Sequence, residues 1–401
     1  MTTAKTKVTR RRFVEAAAAV AAFTIVKPGS ARGTAAASKL TLGIVGVGGR
    51  GTFVGSRFAE HPDIQITAIA DLYDDKLTPA RETFKVPERR CYRGFDACKE
   101  LVTQDVDIVL ITTPPFYHAT HFEAAVGANK HAYVEKPLSV DVPGCRRIIA
   151  AGEAADTKGL TVVAGLQRRY GECYRSAKDR IDRGDVGTIV QARAQWLGGD
   201  LSWARGEKAP GMSEEEYQIR HWYFWRWLSG DMICEQNVHN IDVCNWFIGS
   251  HPDRVAGYTG RKARTDVGDV NDHYNLVFEY PGRTHLSYLS SQFQVGWGDV
   301  SEQFFGTKGS IDISDDPRGA QVITGANPWK YEGPNGNQRH VSNAVAAMVR
   351  SIRGIAEHRN DSRYGAESTI TAIMGRLAAS ERREVTWKEI WESREVLQPG
   401  G

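Results

Sequence analysis

The sequence predicts an α/β chain in two parts: an N-terminal doubly wound parallel sheet, then a C-terminal α/β domain built on an open, mainly antiparallel sheet. Three observations carry this expectation. The apolar run Leu40–Val45 passes straight into Gly46, Gly48 and Gly51, spaced G-x-G-x-x-G, and opens a helical pattern. From Ser38 to about Ala155, short β-rich runs alternate with helical segments, as in βαβ units. Beyond Tyr174 the strand-like runs lengthen and carry alternating polar residues, the pattern of a sheet with one face toward water.

The glycines have separate tasks. Gly46 permits the tight turn out of the strand, Gly48 lets backbone approach a pyrophosphate, and Gly51 lets helix and strand pack closely. The helix behind them offers free N–H groups and a positive dipole end to phosphates. A second apolar run, Ile64–Ala70, ends on Asp71, twenty residues past Gly51, where a carboxylate accepts hydrogen bonds from an adenosine ribose. Gly46, Gly48, Gly49, Arg50, Gly51 and Asp71 are therefore candidate dinucleotide contacts. Asp71 repels a 2′-phosphate, and Leu72, Tyr73 and Asp74 offer no cation, so NAD is expected. Arg50, inside the loop, keeps NADP open.

The next strand, Val106–Thr112, is apolar throughout, as a strand buried on both faces should be. It stops at Thr113-Pro114, and a helix is expected over His118–Ala128. Ala132–Val134 forms another strand ending at Glu135-Lys136-Pro137. A helix from Pro143 to about Asp156 and a sixth strand at Thr161–Ala164 follow. The expected domains are residues 38–160 and 161–401. Past a helix at Tyr174–Arg183, strands are expected at Ile189–Trp196, Arg254–Tyr258, Asp272–Glu279 and His285–Gln294. Helices are expected at His340–Ala356 and Gly365–Ser380. The tryptophan-rich connection Leu197–Leu228 is long for a compact domain, and such loops are usually functional.

Of the 401 residues, 41% are hydrophobic and 25% charged, ordinary for a soluble globular enzyme of two domains. The first 37 residues stand apart. Arg10, Arg11 and Arg12 precede the apolar run Ala16–Val26, and Ala35-Ala36-Ala37 offers a small-residue cleavage site. That is the layout of a twin-arginine signal, so a periplasmic or other extracytoplasmic location is expected. This segment holds seven basic residues and one acid, so without it the net charge of +3 becomes −3. The basicity gives no ground for a nucleic-acid partner. After residue 40 no apolar stretch approaches a membrane span. The six cysteines show neither a C-x-x-C pair nor zinc-ligand spacing, and no metal is expected.

Chemistry points to two places. Lys136 follows a strand directly, where an ammonium could hydrogen-bond a substrate hydroxyl beside a nicotinamide. Further on, Glu235, His239, Asp242 and Trp246 lie at spacings of four, three and four, which on one helix would share a face. A carboxylate one turn before an imidazole can fix its tautomer for general-base work. A core histidine beside a capping acid reads equally well from these residues.

The glycine loop, Thr113-Pro114 with His118, Glu135-Lys136-Pro137, and an acid four residues before His239 with Asp242 three after it occur together and in this order. In that combination the chain resembles the Gfo/Idh/MocA family (glucose–fructose oxidoreductase, inositol dehydrogenase, MocA) over about residues 40 to 385. The resemblance implies a Rossmann domain and a C-terminal α/β domain whose open sheet often mediates homo-oligomers, dimers or tetramers. It implies Thr113, Pro114, His118, Glu135 and Lys136 at the cofactor, Lys136 as the active-site lysine before a commonly cis proline, and His239 as the proton-transfer group. Glu235 stands where the family commonly has Asp. The expected activity is NAD-dependent oxidation of a sugar or polyol hydroxyl, with Glu235 orienting His239 and Asp242 on a neighbouring hydroxyl. Arg168, Arg169 and the Trp203, Trp222, Trp225 and Trp227 group are candidates for the outer substrate wall, Trp225 first, with core packing the other reading of the tryptophans. A redox-neutral glycoside hydrolase or lyase using NAD transiently, and a non-catalytic cofactor-holding protein, stay open.

Overall fold

The computed structural model describes residues 38–293, 295–314 and 321–399; the expected export signal at residues 1–37 lies outside the described residues. The first layer runs β1 (Leu40–Val45), α1 (Gly49–Ala59), β2 (Ile64–Asp71), α2 (Asp74–Phe84), β3 (Cys91–Arg93), α3 (Ala97–Val102), β4 (Ile108–Ile111), α4 (His118–Gly127), β5 (His131–Val134), α5 (Val142–Thr157) and β6 (Val162–Ala164). All six strands are parallel, in the order β3-β2-β1-β4-β5-β6. The order reverses between β1 and β4, which opens a crevice at the carboxyl ends of these strands. Every residue of β4 is buried, as its unbroken apolar run requires. The sheet takes its last strand from beyond the expected boundary at residue 160, because the α5 crossover is completed only when the chain returns as β6.

Helix α6 (Glu172–Asp182) leads to β7 (Ile189–Gly198). The long connection then carries α7 (Glu214–Arg220) and α8 (Arg226–Ser229), followed by α9 (Met232–Glu235) and α10 (Val238–Ile248). The rest is β8 (Arg254–Gly260), β9 (His273–Tyr280), β10 (Thr284–Gln292), β11 (Asp299–Gly306), β12 (Gly309–Ser314), β13 (Val322–Gly325), β14 (Trp329–Lys330), α11 (Asn337–Ile352), α12 (Ser362–Glu381), β15 (Val385–Thr386) and α13 (Trp387–Trp391). These strands form a nine-stranded sheet, β14-β13-β12-β11-β7-β10-β9-β8-β15, antiparallel except where β7 meets β10. Along β9 and β10 burial alternates: Tyr274, Leu276, Phe278, Leu286 and Tyr288 face the core, while Val277 and Leu289 stay exposed. One face is therefore packed and the other open.

Strand β11 does not read as an alternating pattern, and β12, where Ile311 and Ile313 alternate with Ser310, Asp312 and Ser314, lies outside the expected strands. In β11, Glu302 shares its buried side with Phe304 while Ser301 is buried on the opposite side, and polar residues buried on both sides erase the signal. The C-terminal helices return to the first layer. Val341, Ala344, Val345 and Met348 of α11 join one core with Leu42, Ile44 and Phe58, and α12 packs on α5. From Leu40 onward the chain is a single compact unit.

Candidate active site

The glycine loop has the expected build. Gly46 has φ +89°, and a Cβ there would lie 2.7 Å from the Thr113 backbone nitrogen. At Gly51 a Cβ would lie 1.9 Å from the Gly46 carbonyl oxygen, so only glycine lets α1 start this close to β1. Around Gly48 and Gly49, by contrast, a Cβ would meet nothing within 4 Å. These two positions line open space in front of the α1 N-terminus, the shape and polarity a pyrophosphate needs. The residues present fit a dinucleotide.

Asp71, at the end of β2, reaches back to this loop. Its Oδ2 accepts from the Val47 N–H (2.8 Å) and its Oδ1 from the Tyr73 N–H (3.2 Å). Burial pushes its carboxyl above the usual range, and those backbone bonds pull the other way. Each carboxylate oxygen keeps a lone pair for a ribose hydroxyl. Arg50 turns toward β5 and pairs with Glu135 at 2.8 Å, with Phe53 under its guanidinium. It is thus neutralised at the strand end, and the reading that kept NADP open loses its cation.

Lys136 follows, with the Lys136–Pro137 bond cis as the resemblance implied. Its Nζ donates to both the backbone carbonyl and the side-chain Oε1 of Glu235. His118 is buried, with Nδ1 2.8 Å from the Pro137 carbonyl and Nε2 2.8 Å from that of Thr113. Both nitrogens lie against carbonyl oxygens, to one of which the neutral ring donates, so His118 braces the β4 and β5 ends. Thr113 spends its Oγ1 on His121 at 3.1 Å, and Pro114 starts the turn Pro115–Tyr117.

The expected single helix through Glu235 and His239 is two helices, α9 and α10, broken at Gln236-Asn237. The shared face is lost, and Glu235 holds Lys136 while no hydrogen bond links it to His239. The orienting role expected for Glu235 is corrected on that ground. His239 instead stacks on Trp196, with ring centroids 6.1 Å apart and planes at 19°. Burial drives its imidazole well below the ordinary range, and Lys136, Arg168 and Arg50 push it the same way. The ring is neutral, and its buried Nδ1 has no hydrogen-bond partner among the described residues. Glu235 Oε2 and both amide atoms of Asn237 are likewise buried without partners. Such a group of orphans is what a polar ligand would satisfy.

Three expected substrate contacts are committed elsewhere. Asp242, fully buried, takes Arg169 in a two-pronged pair (2.8–3.1 Å) and accepts from Ser368 Oγ at 2.8 Å. Arg168 pairs with Glu302 at 2.5 Å, and Glu302 also accepts from Asn240 Nδ2. These buried ions are matched inside the protein, so they hold the turn at Gln167–Tyr170, helix and sheet together and form no outer wall. Among the tryptophans, Trp227 is buried edge-on to Phe116 and donates to Gln218. Trp225 packs in the same cluster, and Trp203 is exposed. Sequence reasoning missed Trp196 and Tyr223. Tyr223 stacks on Trp222 at 3.8 Å, and burial, then Glu235, push its phenol up while Arg50 draws it down. Its only signal was membership of a long connection.

Comparison with known proteins follows the same outline. Residues 40–165 match the GFO_IDH_MocA family model (oxidoreductase family, NAD-binding Rossmann fold), and residues 174–312 match the GFO/IDH/MocA C-terminal domain. The chain is 38% identical over 255 residues to inositol 2-dehydrogenase 3 of Saccharopolyspora erythraea, covering 63% of this chain and 67% of that one. It is 27% identical over 243 residues to the inositol 2-dehydrogenase of Salmonella typhimurium, covering 60% of this chain and 63% of that enzyme's length. In fold it is similar to scyllo-inositol dehydrogenase from Lactobacillus casei with bound NAD(H) and scyllo-inositol, with TM-score 0.68, 20% identity, and coverage of 87% and 99%.

Proposed function

Since this chain belongs to the Gfo/Idh/MocA oxidoreductase family and carries its NAD-binding Rossmann domain, we propose that it oxidises a secondary hydroxyl of a sugar or polyol. Bound NAD would supply the hydride acceptor. The residues that would hold it are the Gly46–Gly51 loop and Asp71. His239 takes the hydroxyl proton; a neutral imidazole with an unpartnered nitrogen is the state a base needs. Lys136 stabilises the developing alkoxide, and Glu235 fixes the ammonium that does so. The partnerless Nδ1 of His239, buried within the field of Lys136, is the observation that carries this reading.

A panel of inositols, aldoses and glycosides, followed by nicotinamide absorbance and by released aglycone, tests it. Reduction of NAD by a polyol or aldose is expected. Aglycone release without net reduction would replace the dehydrogenase by a redox-neutral hydrolase. We propose also that the Arg10–Arg12 segment directs export of the folded chain. Outside the cytoplasm no nicotinamide pool reoxidises NADH, so the cofactor must stay bound between turnovers. Protein from the exported fraction should keep near-stoichiometric NAD through dialysis, and empty protein would refute this. The exposed Val277 and Leu289 on the open sheet face support a homo-oligomer, which light scattering would check.

A further inference from the structure

The connection between β7 and α9 does more than span a distance. Its helix α7 lies against the segment that follows Asp71, and a groove of about 480 Å³ runs between them. That volume is in the range of small-molecule sites. The groove starts at Leu72, one residue beyond the carboxylate assigned to the ribose. Leu72 and Ile219 both line it, as does Phe95, 61% exposed. A slot that sets Leu72, Ile219 and Phe95 among charged side chains, next to a ribose-binding acid, suits a purine ring.

The two walls are tied by the polar contacts of Arg220 and by apolar packing. The Arg220 guanidinium lies 3.7 Å over the ring of Tyr73 and donates to both oxygens of Asp75 (3.1 and 3.2 Å), while its Nε donates to Glu216 at 3.0 Å. Below the groove, Ile219, Trp227 and Leu228 pack with Leu72, Tyr73 and Phe116. The end of α7 is therefore held against this segment by apolar contact at Ile219 and, one residue on, by the stacked, two-pronged Arg220.

We propose that α7 is a clasp over the adenosine end of the cofactor, latched by Arg220 on Tyr73 and Asp75, and that NAD leaves only when this latch opens. This rests on the NAD site proposed above. Charge in the groove agrees with NAD over NADP: Asp74, Asp75, Glu215 and Glu216 face two cations, Arg93 and Arg220, each already paired.

The test loads the full chain with NADH, adds excess NAD, and follows loss of bound nicotinamide fluorescence. Arg220→Ala should release NADH at least about ten-fold faster than wild type, and Arg220→Lys, which keeps the charge and loses the flat stack, should fall between them. Arg205→Ala removes ion pairs with Asp200 and Asp266, neither of which lines the groove, and should leave the rate unchanged. An Arg220→Ala rate equal to wild type, or an Arg205→Ala rate as fast as Arg220→Ala, overturns the clasp. Circular dichroism establishes that each variant is folded. If wild type shows no saturable NADH binding, the cofactor reading falls and takes the clasp with it; binding with unchanged release overturns the clasp alone.

Discussion

Asp242→Asn separates a substrate ligand from a structural ion. The carboxylate is 1% exposed and accepts three hydrogen bonds from Arg169 and one from Ser368. Arg169 also lies 3.9 Å over the ring of Tyr364, so the guanidinium cannot swing out to water without giving up that stack. Asparagine keeps one acceptor oxygen but sets an NH2 against the guanidinium and removes its counter-charge. Breaking one side of a buried pair costs about 3–5 kcal/mol, a large share of the roughly 5–15 kcal/mol that holds a domain folded. With a urea slope of roughly 3 kcal/mol/M the unfolding midpoint should fall by about 1–1.7 M. Adding Arg169→Met should restore part of the loss, since the uncompensated charge leaves with it. Equilibrium urea unfolding by fluorescence reads all three proteins. An unchanged midpoint in Asp242→Asn, together with a sharply raised KM for polyol, would refute the structural role and return Asp242 to the substrate.

Gly51→Ala should destabilise the fold and abolish NAD binding, because its Cβ would meet the Gly46 carbonyl at 1.9 Å, whereas Gly48→Ala should fold normally and lose only cofactor affinity; thermal melts and calorimetric titration distinguish them. His239→Ala should cut turnover by ~10²–10⁴-fold with NAD affinity intact, and wild-type turnover should not titrate near pH 6.5, since His239 is held neutral well below that value. Asp71→Ala should weaken NAD binding by about 1–3 kcal/mol and relax discrimination against NADP, as read by titration with both cofactors. Burial lowers His121 and His131 to about 4, so below pH 6.5 the unfolded chain takes up protons that the folded one refuses. Stability is therefore full above pH 6.5 and declines from there toward pH 4, by about 1.4 kcal/mol per pH unit per histidine. His121→Gln and His131→Gln should flatten that decline in urea unfolding at stepped pH.

Local chemistry made half of this protein legible. The glycine spacing, the apolar run of β4 and the acid ending β2 are determined over short stretches, because turn sterics and strand burial act between neighbours. Lys136 was legible for the same reason, as the residue just past a strand. Pairings across the chain were not. Glu235 and His239 read as one helical face, yet the chain breaks at Gln236-Asn237 with no proline or glycine to announce it, and Glu235 finds Lys136, 99 residues away. Arg169 and Asp242, apart by 73 residues, and Arg168 and Glu302, apart by 134, read as free charges until the fold buried each against its partner. A buried ion must be matched wherever the match lies, and only the tertiary structure decides which charge is a partner and which is left for a ligand.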